Sequence, residues 1–188
     1  MTEAGAQAGP ETKGTEDKSD GSQSESAPAA AGISERLAGR FSDKVLEQLA
    51  FREQYTSVTT RDALLDVLQW LRDAEGFDHL SDVTAIDWLG RVPRFDVVYQ
   101  LFSFKTNLWY RLKVRVEDQE PVPSVIGLWP CANWAEREVY DLFGIVFANH
   151  PALHRILLPE GWVGYPLRKD YPMSQITLPR SGATKIPE

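Results

Sequence analysis

From Leu108 to Glu117 the chain alternates without a break. Leu108, Tyr110, Leu112, Val114 and Val116 fall on one side, and Trp109, Arg111, Lys113 and Arg115 on the other, the period of a strand buried on one face. Two more strands are predicted upstream, at about Leu80–Trp88 and Arg94–Lys105. Between Arg61 and Glu75 the spacing shifts to three and four. There Leu64, Leu68 and Leu71, with Val67 and Ala74 beside them, make the stripe of an amphipathic helix. Thr60 stands where it would cap that helix, Asp62 where the helix dipole favours an anion, and Gly76 where the helix would end. Lys44 to Thr60 reads as two short strands meeting near Arg52 to Gln54, and Ile33 to Phe41 as a short helix. Pro121, Pro123 and Pro130 punctuate a loop before a last helix, Asn133–Phe143. In that helix Asn133 and Glu136 stand at capping-box spacing, and Ala135, Val139, Leu142 and Phe143 form the apolar stripe. This order predicts an α+β fold: a two-layer domain with a mixed, mostly antiparallel sheet packed on helices, followed by a helix and an extended C-terminal arm.

Beyond Ile145 the pattern stops. Six of the twelve prolines lie there, yet Ile156, Leu157, Leu158, Trp162, Tyr165, Leu167, Tyr171 and Met173 recur with neither helical nor strand period. Prolines favour an extended path that exposes such side chains until a partner covers them. Residues 145–188 are therefore expected to be a docking arm, residues 33–144 the core domain, and residues 1–32 a disordered acidic tail. That tail has no aromatic or large aliphatic residue after Met1 and so nothing to offset chain entropy.

Composition narrows the function. A chain of 188 residues that is 43% hydrophobic builds one core of ordinary size. The tail holds six acids against Lys13 and Lys18, a net −4 that leaves only −3 of the overall −7 for the remainder. No nucleic-acid footprint emerges. No run approaches the roughly 18 apolar residues of a membrane span, and the first thirty residues resemble neither a secretory signal nor a transit peptide, which points to a bacterial cytoplasm. Cys131 is the sole cysteine, too few for an iron–sulfur cluster held by this chain. No glycine-rich nucleotide cradle is present. His150 and His154 have the spacing of metal ligands on a helix, but Pro151 between them spoils that geometry, and they read better as surface or interface histidines. Glu136, Glu138 and Asp141 resemble an acid/base set. At helical spacing, however, Arg137 faces Asp141 and Glu136 faces Tyr140, and the charged face reads better as a clamp on Arg155, Arg168 or Lys169 than as catalytic machinery.

The run from Glu136 to Phe147 (EREVYDLFGIVF), followed by His150-Pro151, Leu153, Arg155-Ile156-Leu157 and the stretch Pro166 to Pro172 (PLRKDYP), resembles the signature of the C subunit of the proton-translocating NADH–quinone oxidoreductase, respiratory complex I. The likeness extends upstream through Leu80 to Trp88, Pro93 to Tyr99 and Pro123 to Val125, covering roughly residues 34–173. Gly161 and Tyr165 depart from it, standing where an acid and a histidine are common. The resemblance implies a peripheral component on the cytoplasmic side of the bacterial inner membrane that binds no cofactor of its own, FMN and the iron–sulfur clusters residing in other subunits. It implies packing on the complex's D subunit, near the one with the terminal cluster, membrane association only through the complex, and no catalytic residue here. Glu136, Arg137, Glu138, Asp141, His150, Arg155, Trp162, Arg168, Lys169 and Tyr171 are the expected interface or structural residues. Two other readings stay open: the equivalent component of a related membrane-bound hydrogenase-type complex, and a free-standing redox enzyme.

Overall fold

A computed structural model describes residues 26–52 and 54–172 of the protein. Helix α1 (Ser26–Arg40) leads into a hairpin of β1 (Val45–Phe51) and β2 (Gln54–Thr59). A 3-10 turn (Arg61–Ala63) then opens α2 (Leu64–Asp73), and three strands follow: β3 (His79–Asp87), β4 (Phe95–Ser103) and β5 (Leu108–Val116). These form one sheet in the order β1-β2-β5-β4-β3. Only the β2–β5 pairing is parallel, so the sheet is mixed and mostly antiparallel, as the alternation predicts. A two-residue parallel bridge then joins β6 (Val122–Pro123) to β7 (Phe147–Ala148), on either side of α3 (Ala132–Phe143).

The core lies on one side of the sheet. Ile33 and Leu37 of α1, Leu64, Val67, Leu68 and Leu71 of α2, and Val139 and Phe143 of α3 share a single cluster with Tyr110, Leu112, Val114 and Val116 of β5. All three helices therefore cover the same face, and no helix among the described residues covers the opposite one. Gly76 ends α2 as expected: its φ of 76° turns the chain back so that the Phe77 N–H reaches the Leu71 carbonyl at 3.0 Å.

Three local expectations are corrected. The first helix begins at Ser26 rather than Ile33, because an alanine-rich run with Pro28 in its first turn is a good helix start. Residues 1–25 of the expected tail, and Met173 with the rest of the arm, lie outside the described residues. Thr60 makes no side-chain cap; the helix opens instead through the 3-10 turn. Ala74 is exposed rather than part of the buried stripe.

One polar cluster ties α1 to the sheet. The hydroxyl of the fully buried Tyr110 bonds Ser57 Oγ at 2.7 Å and Ser34 Oγ at 3.2 Å. Tyr110→Phe removes both bonds and strands the Ser57 hydroxyl in the core, so it is expected to cost about 1–2 kcal/mol. The check is the urea unfolding midpoint, with the slope of the transition unchanged.

Candidate docking site at the last helix and the arm

Helix α3 starts one residue before its predicted N-terminus, and that shift changes the role of its acids. Cys131 occupies the cap position, Asn133 sits inside the first turn, and no side-chain cap forms. The expected capping box is thus absent. Glu136, fully buried, instead reaches across to the loop after β6, accepting from Ser124 Oγ and from the Val125 N–H, both at 2.7 Å. Neither donor is charged. Burial pushes its carboxyl up to about 6, despite those two bonds.

The expected pair between Arg137 and Asp141 does not form either. Arg137 Nε donates to the His154 carbonyl at 3.1 Å and Nη2 to that of Arg155 at 3.3 Å, while its guanidinium lies over the Trp134 ring. Arg137 and Asp141 both point at the arm because a carbonyl path and a row of N–H groups there offer more bonds than a neighbour on the same helix. Glu138 is exposed and makes no hydrogen bond or ion pair among the described residues. The buried side of α3 consists of Ala132, Glu136, Arg137, Val139, Asp141 and Phe143, with Ala135 and Leu142 only partly covered.

Asp141 is the anchor. Its Oδ2 accepts the consecutive backbone N–H groups of Ile156, Leu157 and Leu158 at 3.0, 2.8 and 2.9 Å, and its Oδ1 takes Arg155 Nη1 at 2.8 Å. Burial alone would raise this carboxyl. The three N–H donors and the guanidinium outweigh that cost and hold it below the usual aspartate value of 3.8. The clamp between Asp141 and Arg155 thus forms as the sequence suggested, although most of its donors are backbone groups that no residue-type pattern reveals.

The rest of the arm curls back on the domain. Gly144 closes α3 with φ at 75°, and a methyl there would lie 2.5 Å from the Tyr165 ring. Tyr165 is flanked by the guanidiniums of Arg155 and Arg168. Arg168 does not meet the α3 acids: it donates to the Phe143 carbonyl at 2.6 Å and holds Asp118 with two bonds of 2.9 and 3.0 Å. Among the described residues Lys169 contributes only its backbone N–H, to Asp87 Oδ2 at 2.8 Å. Asp87 is the functional residue that sequence reading missed. It lies on the buried side of β3, next to Val83 and Ala85 in the alternation, and that misplacement was the available signal. Arg94 holds its carboxyl low and bridges to Asp170 as well.

The remaining expected residues are less central. His150 lies against the start of α3, with Nε2 3.3 Å from the Asn133 carbonyl and Nδ1 accepting the Ala152 N–H. Among the described residues no group of three or more His, Cys, Asp and Glu is placed to hold a metal. Trp162 is half-buried, and its Nε1–H finds no acceptor among the described residues. The Tyr171 hydroxyl donates to the Val163 carbonyl at 3.3 Å. The arm has no helix or strand from Asn149 to Pro172, as expected, but it does not hang free: Ile156, Leu158, Tyr165 and Tyr171 are partly covered. Leu157, Val163 and Leu167 face outward, Val163 being 85% exposed.

The sequence family of the respiratory-chain NADH dehydrogenase 30 Kd subunit matches residues 57–177. The chain belongs to that family. It is 45% identical over 146 residues to the C subunit of NADH-quinone oxidoreductase from Roseiflexus sp. (strain RS-1), covering 76% of this chain and 84% of the relative. It is also 42% identical over 139 residues to the protein of that name from Geotalea uraniireducens (strain Rf4), covering 73% and 85%. Among solved structures, a chain of the membrane-bound sulfane sulfur reductase (MBS), an archaeal respiratory membrane complex, superposes with a TM-score of 0.62 over 77% of this chain and 86% of that one. At 23% identity that likeness speaks for the fold alone. Among the described residues, no helix is long and apolar enough to cross a membrane.

The two buried carboxylates of α3 carry opposite pH signatures. The raised carboxyl of Glu136 favours the folded state below about 4.5, and that contribution fades as pH climbs through about 6, a loss of about 2 kcal/mol. In Glu136→Gln the pH-dependent part between 4.5 and 7 should vanish from urea titrations. The lowered carboxyl of Asp141 stabilises above 3.8 and loses that contribution on further acidification. Asp141→Ala is expected to cost about 3–5 kcal/mol and to abolish hydrogen-exchange protection at Ile156, Leu157 and Leu158. Asp141→Asn, which keeps an acceptor oxygen, should lose only part of it.

Proposed function

We propose that this chain is the C subunit of an NADH–quinone oxidoreductase, peripheral on the cytoplasmic side of the membrane, and that its work is assembly. In this reading electrons pass from NADH through FMN and iron–sulfur clusters in other subunits to quinone, coupled to proton translocation. The chain itself holds no redox group and supplies no catalytic residue. Its surface at α3 and the arm packs on the D subunit, beside the one with the terminal cluster.

The observation that carries this reading is the way the arm is held. Asp141 and Asp87 fix its backbone from two points, so Leu157, Val163 and Leu167 are held facing outward, and Trp134 is exposed on α3. Large apolar side chains on a backbone without regular structure stabilise nothing while they face water, whereas covering each contributes about 1.5–3 kcal/mol. Partner docking is the role that uses them.

Val163→Asp tests this directly. Because Val163 lies outside the core, the unfolding free energy should change by no more than about 0.5 kcal/mol. In membranes solubilised with mild detergent, the tagged variant should recover the D subunit at least tenfold less well, and quinone reductase activity should fall in step with lost assembly. Truncation after Leu158 should likewise leave a cooperatively folding domain that no longer joins the complex. Unchanged recovery of the D subunit would defeat the reading, and co-purification of a hydrogenase's components in its place would reassign the complex.

A further inference from the structure

The helix-free face of the sheet has a composition that water alone does not account for. At one end its strands bring aromatic side chains into a band. Trp109 of β5 pairs with Phe102 of β4, Phe102 with His79 of β3, and Phe51 ends β1. The rings are in contact: Phe102 and Trp109 lie 4.7 Å apart, and Phe102 and Phe104 5.1 Å in edge-to-face geometry. Yet Phe51 is 70% exposed, Phe104 68% and Trp109 48%. Next to the band lies a groove of about 290 Å³ floored by Val98 and walled by Gln100, Arg111, Lys113 and Asp82. Val58 and Val98 on this face are buried but outside the main core cluster, so a small second apolar layer already exists there.

The charges say what would cover it. Arg115 is matched by Glu47, and Asp96 by Arg91. Arg111 bonds the neutral amides of Gln100 and Gln54, and neither it nor Lys113 has an ion pair among the described residues. Among the described residues the groove thus carries two cations without an ion pair, with Asp82 the one acid in its lining. Every strand bordering it except the edges is hydrogen-bonded on both sides, so a partner meets side chains rather than free backbone. A helix laid on a sheet face is one of the standard layer packings, and its carboxylates can reach cations on that face.

We propose that this face is a second docking surface, occupied by an amphipathic helix of another protein in the same assembly, with apolar residues on the aromatic band and carboxylates on Arg111 and Lys113. Two other occupants fit worse. This chain's own residues 1–25 are acidic but contain no aromatic or large aliphatic residue after Met1, so they cannot cover the band. A second copy packed by two-fold symmetry would set the column of Arg111 and Lys113 against itself. The proposal rests on the assembly reading above and concerns the face of the sheet away from the arm.

The test compares the isolated full chain with the complex captured through it from solubilised membranes. Acylation of Lys113 by a succinimide ester and hydroxyl-radical oxidation of Trp109 are read by peptide mass spectrometry, with oxidation of Val163 as the reporter for the arm. In the isolated chain all three should react. In the complex, Lys113 and Trp109 should slow at least tenfold, and a carbodiimide should link Lys113 to a carboxylate in a helical segment of another chain. Trp109→Ser, which keeps the Lys113 amine, should remove that cross-linked chain while Val163 stays protected. Free-chain reactivity of Lys113 and Trp109 in a complex where Val163 is protected overturns the proposal and leaves the arm's role standing. Links from Lys113 to residues 1–25 or to a second copy overturn it too. Full reactivity of Val163 defeats the assembly reading and this proposal with it.

Discussion

The carboxylate of Asp141 is the point on which the C-terminal half of this protein depends. A buried, isolated carboxylate is costly, and burial here does work against ionisation. Three consecutive N–H groups and one guanidinium converge on it. Those N–H groups belong to a stretch with no helix or strand to satisfy them. Each side solves the other's difficulty: the arm's orphan donors find a charge, and the charge finds donors that replace its water. Removing the acid therefore does more than delete an ion pair, because it leaves three N–H groups unpaired.

Asp87 and Glu136 show two other outcomes for a carboxylate taken out of water. Asp87 is held low by Arg94, which passes the link on to Asp170 of the arm. Glu136 has only a hydroxyl and one N–H, and its carboxyl rises to about 6. Neither side chain is open to solvent, but Glu136 lies deeper and has only two neutral donors, so its desolvation goes uncompensated, whereas three N–H groups and a guanidinium outweigh that of Asp141. Asp87 and Asp141 fix the arm. Glu136 fixes the loop before α3 and leaves the fold mildly sensitive to rising pH.

The sheet was legible in the sequence to within about two residues at each strand end, because an unbroken two-residue period such as Leu108 to Val116 has no competing interpretation. The family resemblance was legible for the same residues that build the clamp. What sequence reading assigned wrongly were local polar partnerships. Asn133 and Glu136, Arg137 and Asp141, and Glu136 and Tyr140 all have helical spacing, and all three pairs were passed over for partners 11 to 18 residues away. Spacing rules describe an isolated helix in water. Once one side of α3 is buried, its polar groups follow the unsatisfied backbone around them, and backbone donors carry no residue signature. Asp87 did carry a signal, an acid on the buried side of an alternating strand, but its partners, the Arg94 guanidinium and the Lys169 N–H, lie 7 and 82 residues away.

The division of labour between core and arm bears on assembly. Among the described residues the core cluster ends with Ile145 and Phe147 at the root of the arm, and beyond Ala148 only Leu153 packs against it. The arm is fixed chiefly by polar bonds to Asp141, Asp87 and the Leu142 and Phe143 carbonyls. Ordering a free backbone costs about 1–2 kcal/mol per residue, so a loose arm would need most of its docking energy to become ordered. Here the fold has met much of that cost before a partner arrives. Polar bonds suit the task better than a larger apolar core would, since they fix the backbone while leaving Leu157, Val163 and Leu167 free to face outward. Had the arm been held by burying those side chains on its own domain, it would be just as ordered and would have nothing left to offer.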